Sequence, residues 1–482
     1  MKYTPVLLRE VLRSQIQKLG ETPERFARRP GRDFTRPRTL SFETVISLLL
    51  TMSEHSVGKA LIERFKNRED TPSASAFVQQ REKLLPAAME MLFQRFTACL
   101  RPAGRFQGYR LLAADGSDLK SAAYPGDSAS YRPGTERQHG WNLWHLNALY
   151  DLQSGIYTDV IVQKEHEKDE KAALCAMVDR SAVSSPVILL ADRGYEACNN
   201  LAHLERKGWN YLIRLRDKNR TVAYGLKLPD TAQFDIPVQI TLGRQTARQL
   251  EQQGLVVPAS YYRVPPQMTF DDLEPESSGF AALSFRIVRI ETENGDSELL
   301  ITNLDPKRFP PEALKRLYAM RWGIETSFRS LKYAVGLIHL HAKKPDLVLQ
   351  EIFAGFLIFN FTQASVWAVD TAQGVSKYQY RVNFSDAVFA CCAFLREAVS
   401  DPLPLLWRKL LPVRPGRTAP RPKITGSRIS SCYASARRTP FHTPSSGGVL
   451  SARFCCLFFL PSIPFALFVP RSPFGELPYV PT

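Results

Sequence analysis

The stretch YRLLAADGSDL at residues 109–119 decides the fold class, together with PVILLADRGY at residues 186–195. Both are apolar runs bounded by turn residues, which is the pattern of a buried β-strand. Between them lie HLNALYDLQSG (145–155) and YTDVIVQK (157–164), which a short turn joins, so that they are predicted to be antiparallel. Helical segments alternate with the later strands. The pattern therefore predicts an α/β fold with a mixed sheet flanked by helices.

Two aspartates in these runs are the first candidate site residues. Asp115 follows RLLAA and Asp192 follows VILLA, and a glycine lies close behind each of them. We expect both carboxylates at the C-terminal ends of strands, where mixed α/β sheets place their sites. Taken singly, either aspartate is more often an ordinary turn residue. Asp118 is an alternative candidate site residue on the same turn. It ranks below Asp115 because it lies beyond the glycine.

A third feature is the segment PEALKRLYAMRWGIETSFRSLKYAVGL, which is predicted to form one long helix. At 100° per residue, one acidic side chain and four basic or aromatic ones fall within about 80° of arc beside the apolar stripe. These side chains are Tyr318, Arg321, Glu325, Arg329 and Lys332. A solvated, salt-bridged helix face is the alternative interpretation.

The two aspartates and the glutamate of this helix suit metal-dependent chemistry. Asp115, Asp192 and Glu325 can together hold two divalent cations about 4 Å apart. Hard carboxylate oxygens favour Mg²⁺ or Mn²⁺. Two such ions stabilise the attacking and leaving oxygens of an in-line phosphoryl displacement. The basic side chains beside Glu325 would then hold DNA phosphates.

Residues 1–105 have helical periodicity and are predicted to form a helical domain that binds DNA. Thr71 and Pro72 resemble a helix start, with a capping hydroxyl followed by a proline at the first helical position. The helix that follows offers Arg81 and Lys83 for contacts with DNA. Two short helices around a turn could form a helix-turn-helix. An ordinary helical bundle with a solvated basic face is the alternative that this segment alone favours.

The rest of the chain divides by composition. Residues 106–412 are predicted to form the catalytic domain, interrupted at about 217–300 by a β-rich insertion without a long helix. The apolar segment DLVLQEIFAGFLIFNFTQASVWAVDTA near residue 360 is interpreted as a buried core helix and not a membrane span, because it contains Glu351 and Asn360. Residues 413–482 are rich in Pro, Arg and Ser, and we expect this tail to be mostly disordered.

Charge and cysteine content narrow the classes of function. The 482 residues carry a formal net charge of +16, which favours a polyanionic partner, although a merely basic surface is the alternative. Hydrophobic residues make up 44 %, which excludes a disordered protein over most of the length. Eight cysteines are too few for a disulfide scaffold. The N-terminus lacks a signal-peptide pattern, so a cytoplasmic protein is expected.

On these residues the chain resembles the DDE transposases of insertion-sequence family four, whose catalytic domain is RNase H-like. The resemblance lies in LAADGSDL, HLNALYDL, LADRGY and the spacing Tyr318-x2-Arg321-x3-Glu325-x6-Lys332, which matches the YREK signature of that family at every position. It covers roughly residues 1–417, most loosely at the N-terminus.

The resemblance implies a site, a reaction and partners. Asp115, Asp192 and Glu325 would be the metal-binding triad, with two Mg²⁺ or Mn²⁺ ions. Tyr318, Arg321 and Lys332 would bind the transposon-end DNA near the cleavage site. The reaction would be cut-and-paste transposition through a nick, a hairpin, hairpin opening and strand transfer. Its partners would be double-stranded DNA, as terminal inverted repeats and target, and a second copy of the chain in a homodimeric synapse, with no membrane involved.

Two alternatives stay open beside this one: a catalytically inactive DNA-binding relative and a plain RNase H-like nuclease. One detail of the resemblance is missing from the sequence. Relatives hold a flipped base with an aromatic residue of the insertion, but this chain has no tryptophan between Trp209 and Trp322. Tyr261, Tyr262 and Phe270 are the candidates for that role.

Overall fold

The structure is a computed structural model. It describes residues 3–413 except 53–55, 67, 103, 137–138, 184–185, 217–221, 224–225, 292–296, 371–379 and 409. The elements up to Leu411 belong to one compact unit. The predicted disordered tail lies outside the described residues from position 414 onward, and its disorder stays a prediction.

The helices are α1 (Pro5–Gly20), α2 (Phe42–Thr51), α3 (Val57–Phe65), α4 (Ala74–Arg81), α5 (Pro86–Cys99), α6 (Glu170–Arg180), α7 (Cys198–Arg206), α8 (Ala247–Gln252), α9 (Pro311–Ala319), α10 (Trp322–Tyr333), α11 (Pro345–Asp370), α12 (Phe384–Leu395) and α13 (Leu403–Arg408). The strands are β1 (Arg110–Ala122), β2 (Tyr131–Arg132), β3 (Trp141–Asp151), β4 (Ile156–Lys164), β5 (Val187–Ala191), β6 (Asn210–Arg214), β7 (Phe234–Gly243), β8 (Tyr261–Arg263), β9 (Phe280–Glu291), β10 (Ser297–Thr302), β11 (Tyr380–Val382) and β12 (Leu410–Pro412).

The main sheet has ten strands and is mixed, which confirms the predicted fold class. Its order is β2-β3-β1-β5-β6-β10-β9-β7-β8, with β4 paired to β3. Within it, β4, β3 and β1 are antiparallel neighbours, and β1, β5 and β6 are parallel neighbours. Three antiparallel strands followed by two parallel ones is the order of an RNase H-like sheet. All five residues of β5 are buried, as expected for a parallel strand covered on both faces.

The β-rich segment between β6 and β10 extends this sheet. Strand β9 pairs with both β7 and β10, and β10 pairs with β6, so the inserted strands continue the hydrogen-bonded ladder of the core. The segment also contains the short helix α8, which Thr246 and Gln249 begin with a reciprocal capping box.

Helix α11 joins the N-terminal helices to the sheet. It is long and apolar enough to cross a membrane, but 83 % of its most apolar window is buried inside the protein, as expected for a core helix. Its Asn360 side chain donates to Thr97 Oγ1 of α5 at 2.9 Å and to the Tyr157 carbonyl of β4 at 2.7 Å. Because a buried amide needs such partners, Asn360 fixes α5 and β4 against the same helix.

The start of α4 differs from its prediction. The helix begins at Ala74, and the hydroxyl of Ser73 accepts the N–H of Ala76 at 3.1 Å. Thr71 instead donates its hydroxyl to the carbonyl of Arg68 within the preceding turn. The serine is the cap because its backbone is extended directly before the first helical residue.

Candidate functional site

Two aspartates meet where the parallel pairing of β1 and β5 ends. The last pair in register is Ala114 with Ala191, so Asp115 and Asp192 are the next residues on neighbouring strands. Asp192 follows the end of β5, as predicted. The prediction of a strand end is wrong for Asp115, because β1 continues to residue 122 by pairing with β3, where Asp115 lies opposite Ala148.

Backbone N–H groups orient both carboxylates. Asp192 begins the 3-10 helix Arg193–Tyr195, and its Oδ1 accepts the N–H of Gly194 at 2.5 Å. Asp115 Oδ1 accepts the N–H of Gly116 at 2.9 Å. A Cβ at Gly194 would lie 3.0 Å from Asp192 Oδ1 and 3.1 Å from Glu170 Oε2, so a larger residue here would press on both carboxylates.

The predicted long helix is two helices, which corrects the sequence analysis. Between α9 and α10 the chain makes i-to-i+3 hydrogen bonds, from the N–H of Met320 to Leu317 at 3.1 Å and from that of Arg321 to Tyr318 at 3.0 Å. The apolar side chains of α9 and those of α10 belong to different hydrophobic clusters. A tight 3-10 turn lets each helix face its own cluster.

The turn places Arg321 between two members of the predicted triad. Its guanidinium donates to Glu325 Oε1 at 2.6 Å and lies 3.5 Å from Asp115 Oδ2. The rings of Tyr318 and Trp322 each lie 5.8 Å from its central carbon. The arginine side chain is 10 % exposed, so these contacts form in a largely buried environment.

Burial and neighbouring charges shift the pKa of the Asp115 carboxyl. Burial raises the pKa of Asp115 to about 6; Arg321 opposes this shift, whereas the negative charges of Glu325 and Asp192 add to it. Burial also raises the pKa of Tyr318 to about 12, which keeps its hydroxyl protonated at neutral pH. The structure thus places Arg321 between Asp115 and Glu325, and it places Asp192 just beyond the strand that pairs with the strand of Asp115.

The raised pKa predicts that Asp115→Asn stabilises the metal-free protein. The folded-state value of about 6 lies above the ordinary 3.8. The ionised carboxylate therefore costs stability, a cost that grows as pH rises from about 4 to about 6 and is complete above. Two pKa units correspond to about 3 kcal/mol, as an upper value. Urea unfolding in EDTA should show a more stable variant at pH 8 but not at pH 4; an equal gain at both would contradict the prediction.

The carboxylate oxygens of Asp115, Asp192 and Glu325 suit hard divalent cations. Within the described ranges, no three His, Cys, Asp or Glu side chains already converge on one point. The guanidinium of Arg321, however, is a positive charge held by the oxygens of Asp115 and Glu325. Near them, the Tyr195 hydroxyl is buried without a hydrogen-bond partner, and burial together with the charges of Asp115 and Asp192 raises its pKa. The carboxylates therefore attract a cation, and Arg321 would have to move for metal to bind.

A histidine cluster that sequence reasoning missed adjoins the triad. His145, 2 % exposed, lies opposite Asp118 on the neighbouring strand, with its Nδ1 2.6 Å from Asp118 Oδ1 and its Nε2 3.1 Å from Glu170 Oε1. Burial opposes the charge on the ring, but the bonds to these carboxylates raise the His145 pKa. Asp118 thus belongs to this cluster and not to the triad. The signal for this cluster in the sequence was His145, the first residue of HLNALYDL.

The predicted DNA contacts differ in exposure. Arg329 is exposed on α10, and Lys332 is half-buried, where burial lowers its pKa while the nearby Asp118 opposes the shift. Lys83 donates its ammonium to Gln80 Oε1 at 2.7 Å. These three residues stay candidates for contacts with DNA.

Arg81 is not available to DNA, which corrects its prediction. It is 1 % exposed, and its guanidinium donates to Gln350 at 3.1 Å, Glu351 at 2.9 Å and the Leu347 carbonyl at 2.8 Å. A buried charge requires such partners. The side chain ties α4 to α11 and cannot also reach a phosphate.

Of the aromatic residues proposed to hold a flipped base, Phe270 is excluded because it is 1 % exposed within a hydrophobic cluster. Tyr261 and Tyr262 are half-buried, and the Tyr261 hydroxyl donates to the Gln245 carbonyl at 2.5 Å. They stay candidates. Trp322, beside Arg321, is 61 % exposed.

Residues 106–361 match the family described as transposase DDE domain. The putative transposase InsL for insertion sequence element IS186A of Escherichia coli K12 is 26 % identical over 242 residues, 46 % of this chain and 62 % of the relative. The transposase for IS421 of Escherichia coli gives the same values. The transposase InsG for IS4 of Escherichia coli K12 is 28 % identical over 150 residues, 28 % of this chain and 34 % of the relative. The chain therefore spans less than two thirds of the length of these relatives.

Among solved structures, the piggyBac transposase in a synaptic complex with hairpin DNA is similar, with a TM-score of 0.44 and 10 % identity. The similarity covers 82 % of this chain and 80 % of that one.

Proposed function

The chain belongs to the transposase DDE domain family, which it matches over more than half of its length, and on that premise we propose that it is a transposase acting by metal-dependent phosphoryl transfer. The observation that carries the proposal is geometric: Arg321 pairs with both Asp115 and Glu325, and Asp192 directly follows the strand that pairs with the strand of Asp115. These side chains come from a strand, a strand end and a helix that are far apart in sequence. A partly buried acidic cluster with a raised pKa is typical of a catalytic centre.

In this proposal the three carboxylates would hold two Mg²⁺ or Mn²⁺ ions, which would supply Lewis-acid activation of the attacking oxygen and stabilisation of the leaving one. The chain supplies the geometry: the pairing of β1 with β5 fixes the separation of Asp115 and Asp192, and the Gly194 N–H holds the Asp192 carboxylate. Arg321 releases Asp115 and Glu325 and turns its guanidinium to a DNA phosphate, with Tyr318 and Lys332 beside it.

We infer the individual steps of the reaction from the resemblance of this chain to the transposases of insertion sequences. We propose cut-and-paste transposition by end nicking, hairpin formation and strand transfer. Its substrates would be double-stranded terminal inverted repeats and target DNA, brought together by a homodimer. Because the protein would bind DNA, we also propose that it is cytoplasmic and associates with the nucleoid.

A single assay separates this proposal from its two alternatives. The purified chain is incubated with Mg²⁺ and a labelled linear duplex that carries the inverted repeat flanking the gene. Site-specific nicks and hairpins at the repeat support a transposase. Binding without cleavage would indicate an inactive DNA-binding relative, and cleavage without preference for the repeat would indicate a plain nuclease.

Arg321→Ala and Lys332→Ala are expected to weaken the complex with transposon-end DNA and to flatten its salt dependence. Each lost phosphate contact should reduce the slope of log K against log salt by about 0.9, because fewer counterions are released. Fluorescence anisotropy in Mg²⁺, on an end duplex whose scissile linkage cannot be hydrolysed, measures this without cleavage and under the conditions in which Arg321 is released from the carboxylates. Arg316→Ala, an exposed arginine of α9, is the matched control and should leave the slope unchanged. An unchanged slope in Arg321→Ala would place that side chain outside the DNA interface.

A further inference from the structure

Residues 25–38, RFARRPGRDFTRPR, form the most densely basic segment of the described N-terminal part, here called the arginine loop. Six arginines and one aspartate give it a formal charge of +5. All six arginines are exposed. The loop precedes α2 and is separate from the triad and from the basic residues of α10.

The loop is anchored at its start and near its end. At its start, the N–H of Arg28 donates to the Lys83 carbonyl at 2.7 Å, and the N–H of Leu85 donates to the Phe26 carbonyl at 2.8 Å. Two of its aromatic rings pack on Phe42 of α2, that of Phe26 at 6.4 Å and that of Phe34 at 5.4 Å between centroids. The apolar side chains therefore face the core, and the arginines face outward.

A buried aspartate and an unusual backbone fix the middle of the loop. Asp33 is 4 % exposed, and its carboxylate accepts the backbone N–H of Arg29 at 3.1 Å and its guanidinium at 3.1 Å. The next residue, Phe34, has a φ of +60°, in the left-handed region that non-glycine residues seldom adopt. Such strain persists only where the surrounding contacts hold it, and it is common at functional sites.

Most of the positive charge in the loop is not neutralised by the protein. Arg28 pairs with Asp346, and Arg29 pairs with Asp33. The remaining arginines make no ion pair with any residue that the structure describes: Arg25, Arg32, Arg36 and Arg38. Four unpaired guanidinium groups on a fixed backbone form a surface suited to a polyanion, because little conformational entropy is lost on binding.

We propose that the arginine loop binds the phosphate backbone of duplex DNA, independently of base sequence. This proposal rests on the proposed function, since it adds a second DNA contact to the same protein. Guanidinium groups match phosphate oxygens in bidentate pairs. The rings of Phe26 and Phe34 are turned toward α2, so the loop presents no stacking platform for unpaired bases. It replaces the predicted reading face of α4, in which Gln80 and Arg81 are buried.

The test removes three of the unpaired charges together, as Arg32→Ala, Arg36→Ala and Arg38→Ala in one full-length variant. Binding to fluorescent duplexes is measured by anisotropy in EDTA over a series of salt concentrations, so that cleavage plays no part. The salt slope should fall by as much as about 2.7, at about 0.9 for each lost phosphate contact. Because phosphates carry no sequence information, the decrease should be the same for a transposon-end duplex and for an unrelated duplex of equal length.

Two further variants keep the test interpretable. A control with Arg248→Ala, Lys307→Ala and Arg316→Ala removes the same charge from exposed positions outside the loop and should keep the wild-type slope. A variant with Arg32→Lys, Arg36→Lys and Arg38→Lys keeps the charge and should retain most of the slope, which distinguishes lost phosphate contacts from misfolding.

An unchanged slope in the alanine variant, or an equal decrease in the control variant, would overturn the proposal. So would a decrease confined to an RNA duplex, which would identify another class of partner. Failure of the proposed function can be told apart from failure of this proposal. If the protein is not a transposase, cleavage in Mg²⁺ will be absent, but the alanine variant will still lower the salt slope of duplex binding in EDTA.

Discussion

Asp115→Ala, Asp192→Ala and Glu325→Ala should each abolish strand cleavage and leave binding to transposon-end DNA largely intact. Each change removes a carboxylate that the proposed reaction needs for its metal ions, whose stabilisation of the transition state is worth several kcal/mol. At 1.36 kcal/mol for each factor of ten, the rate should fall by at least about 10³. Single-turnover nicking of an end duplex in Mg²⁺ measures the rate, and anisotropy in EDTA measures binding.

Exposed carboxylates provide the controls for this prediction. Asp230→Ala and Glu312→Ala change side chains that lie on the surface of the same catalytic region and should cut at the wild-type rate. Asp118→Ala is a weaker comparison, because Asp118 holds His145 beside the triad. Normal cleavage by any one of the three triad variants would remove that residue from the site.

The sequence was sufficient to predict the mixed sheet, because that prediction depends on local patterns, and local patterns also selected Asp115, Asp192 and Glu325 as a candidate triad, whose role stays a prediction. Apolar runs ending in Asp-x-Gly or Asp-Gly place a carboxylate beside a tight backbone, whatever the rest of the chain does. The error at Asp115 has a tertiary cause. Gly116 suggested a turn, but in the structure it lies within β1, where a Cβ would come within 2.6 Å of His145 Nε2. Only the pairing with β3 shows that the glycine makes room for a ring.

The break between α9 and α10 also could not be predicted from the sequence. A helical wheel assumes one axis, and the residues from Tyr318 to Lys332 do share a stripe on that assumption. The turn at Met320 arises because the two helices pack against different clusters, and a cluster is defined by residues distant in the chain. Within the predicted stripe, Arg321 still meets Glu325 at 2.6 Å and the Tyr318 ring at 5.8 Å, because these three residues lie within the turn and the first turn of α10.

Arg81 shows the same limit for charged residues. On α4 it followed Gln79 and Gln80 and preceded Lys83, which resembles a solvated basic face. Its carboxylate partner, Glu351, lies 270 positions later on α11. Burial of a charge depends on such a partner, and no local pattern reveals it.

The burial of Arg81 gives the second large prediction. Arg81→Met should destabilise the protein by up to about 3–5 kcal/mol, because the buried Glu351 carboxylate loses its guanidinium partner and is left with its contacts to His341. A second change in the same chain, Glu351→Met, should recover most of that loss by removing the remaining charge. Lys18→Met, at an exposed position of α1, is the matched control and should stay within about 0.5 kcal/mol of wild type. Urea unfolding followed by circular dichroism measures the three variants.

Stability and DNA binding separate the two roles that Arg81 could have. A phosphate-binding arginine would lower DNA affinity when replaced and leave the unfolding midpoint nearly unchanged, since its neighbours would not depend on it. A buried arginine that pairs with Glu351 would lower the midpoint, and the protein still folded at low temperature would bind end DNA with the wild-type salt slope. Because the guanidinium is 1 % exposed, we expect the second result. A wild-type midpoint together with a slope reduced by about 0.9 would restore Arg81 to the DNA interface.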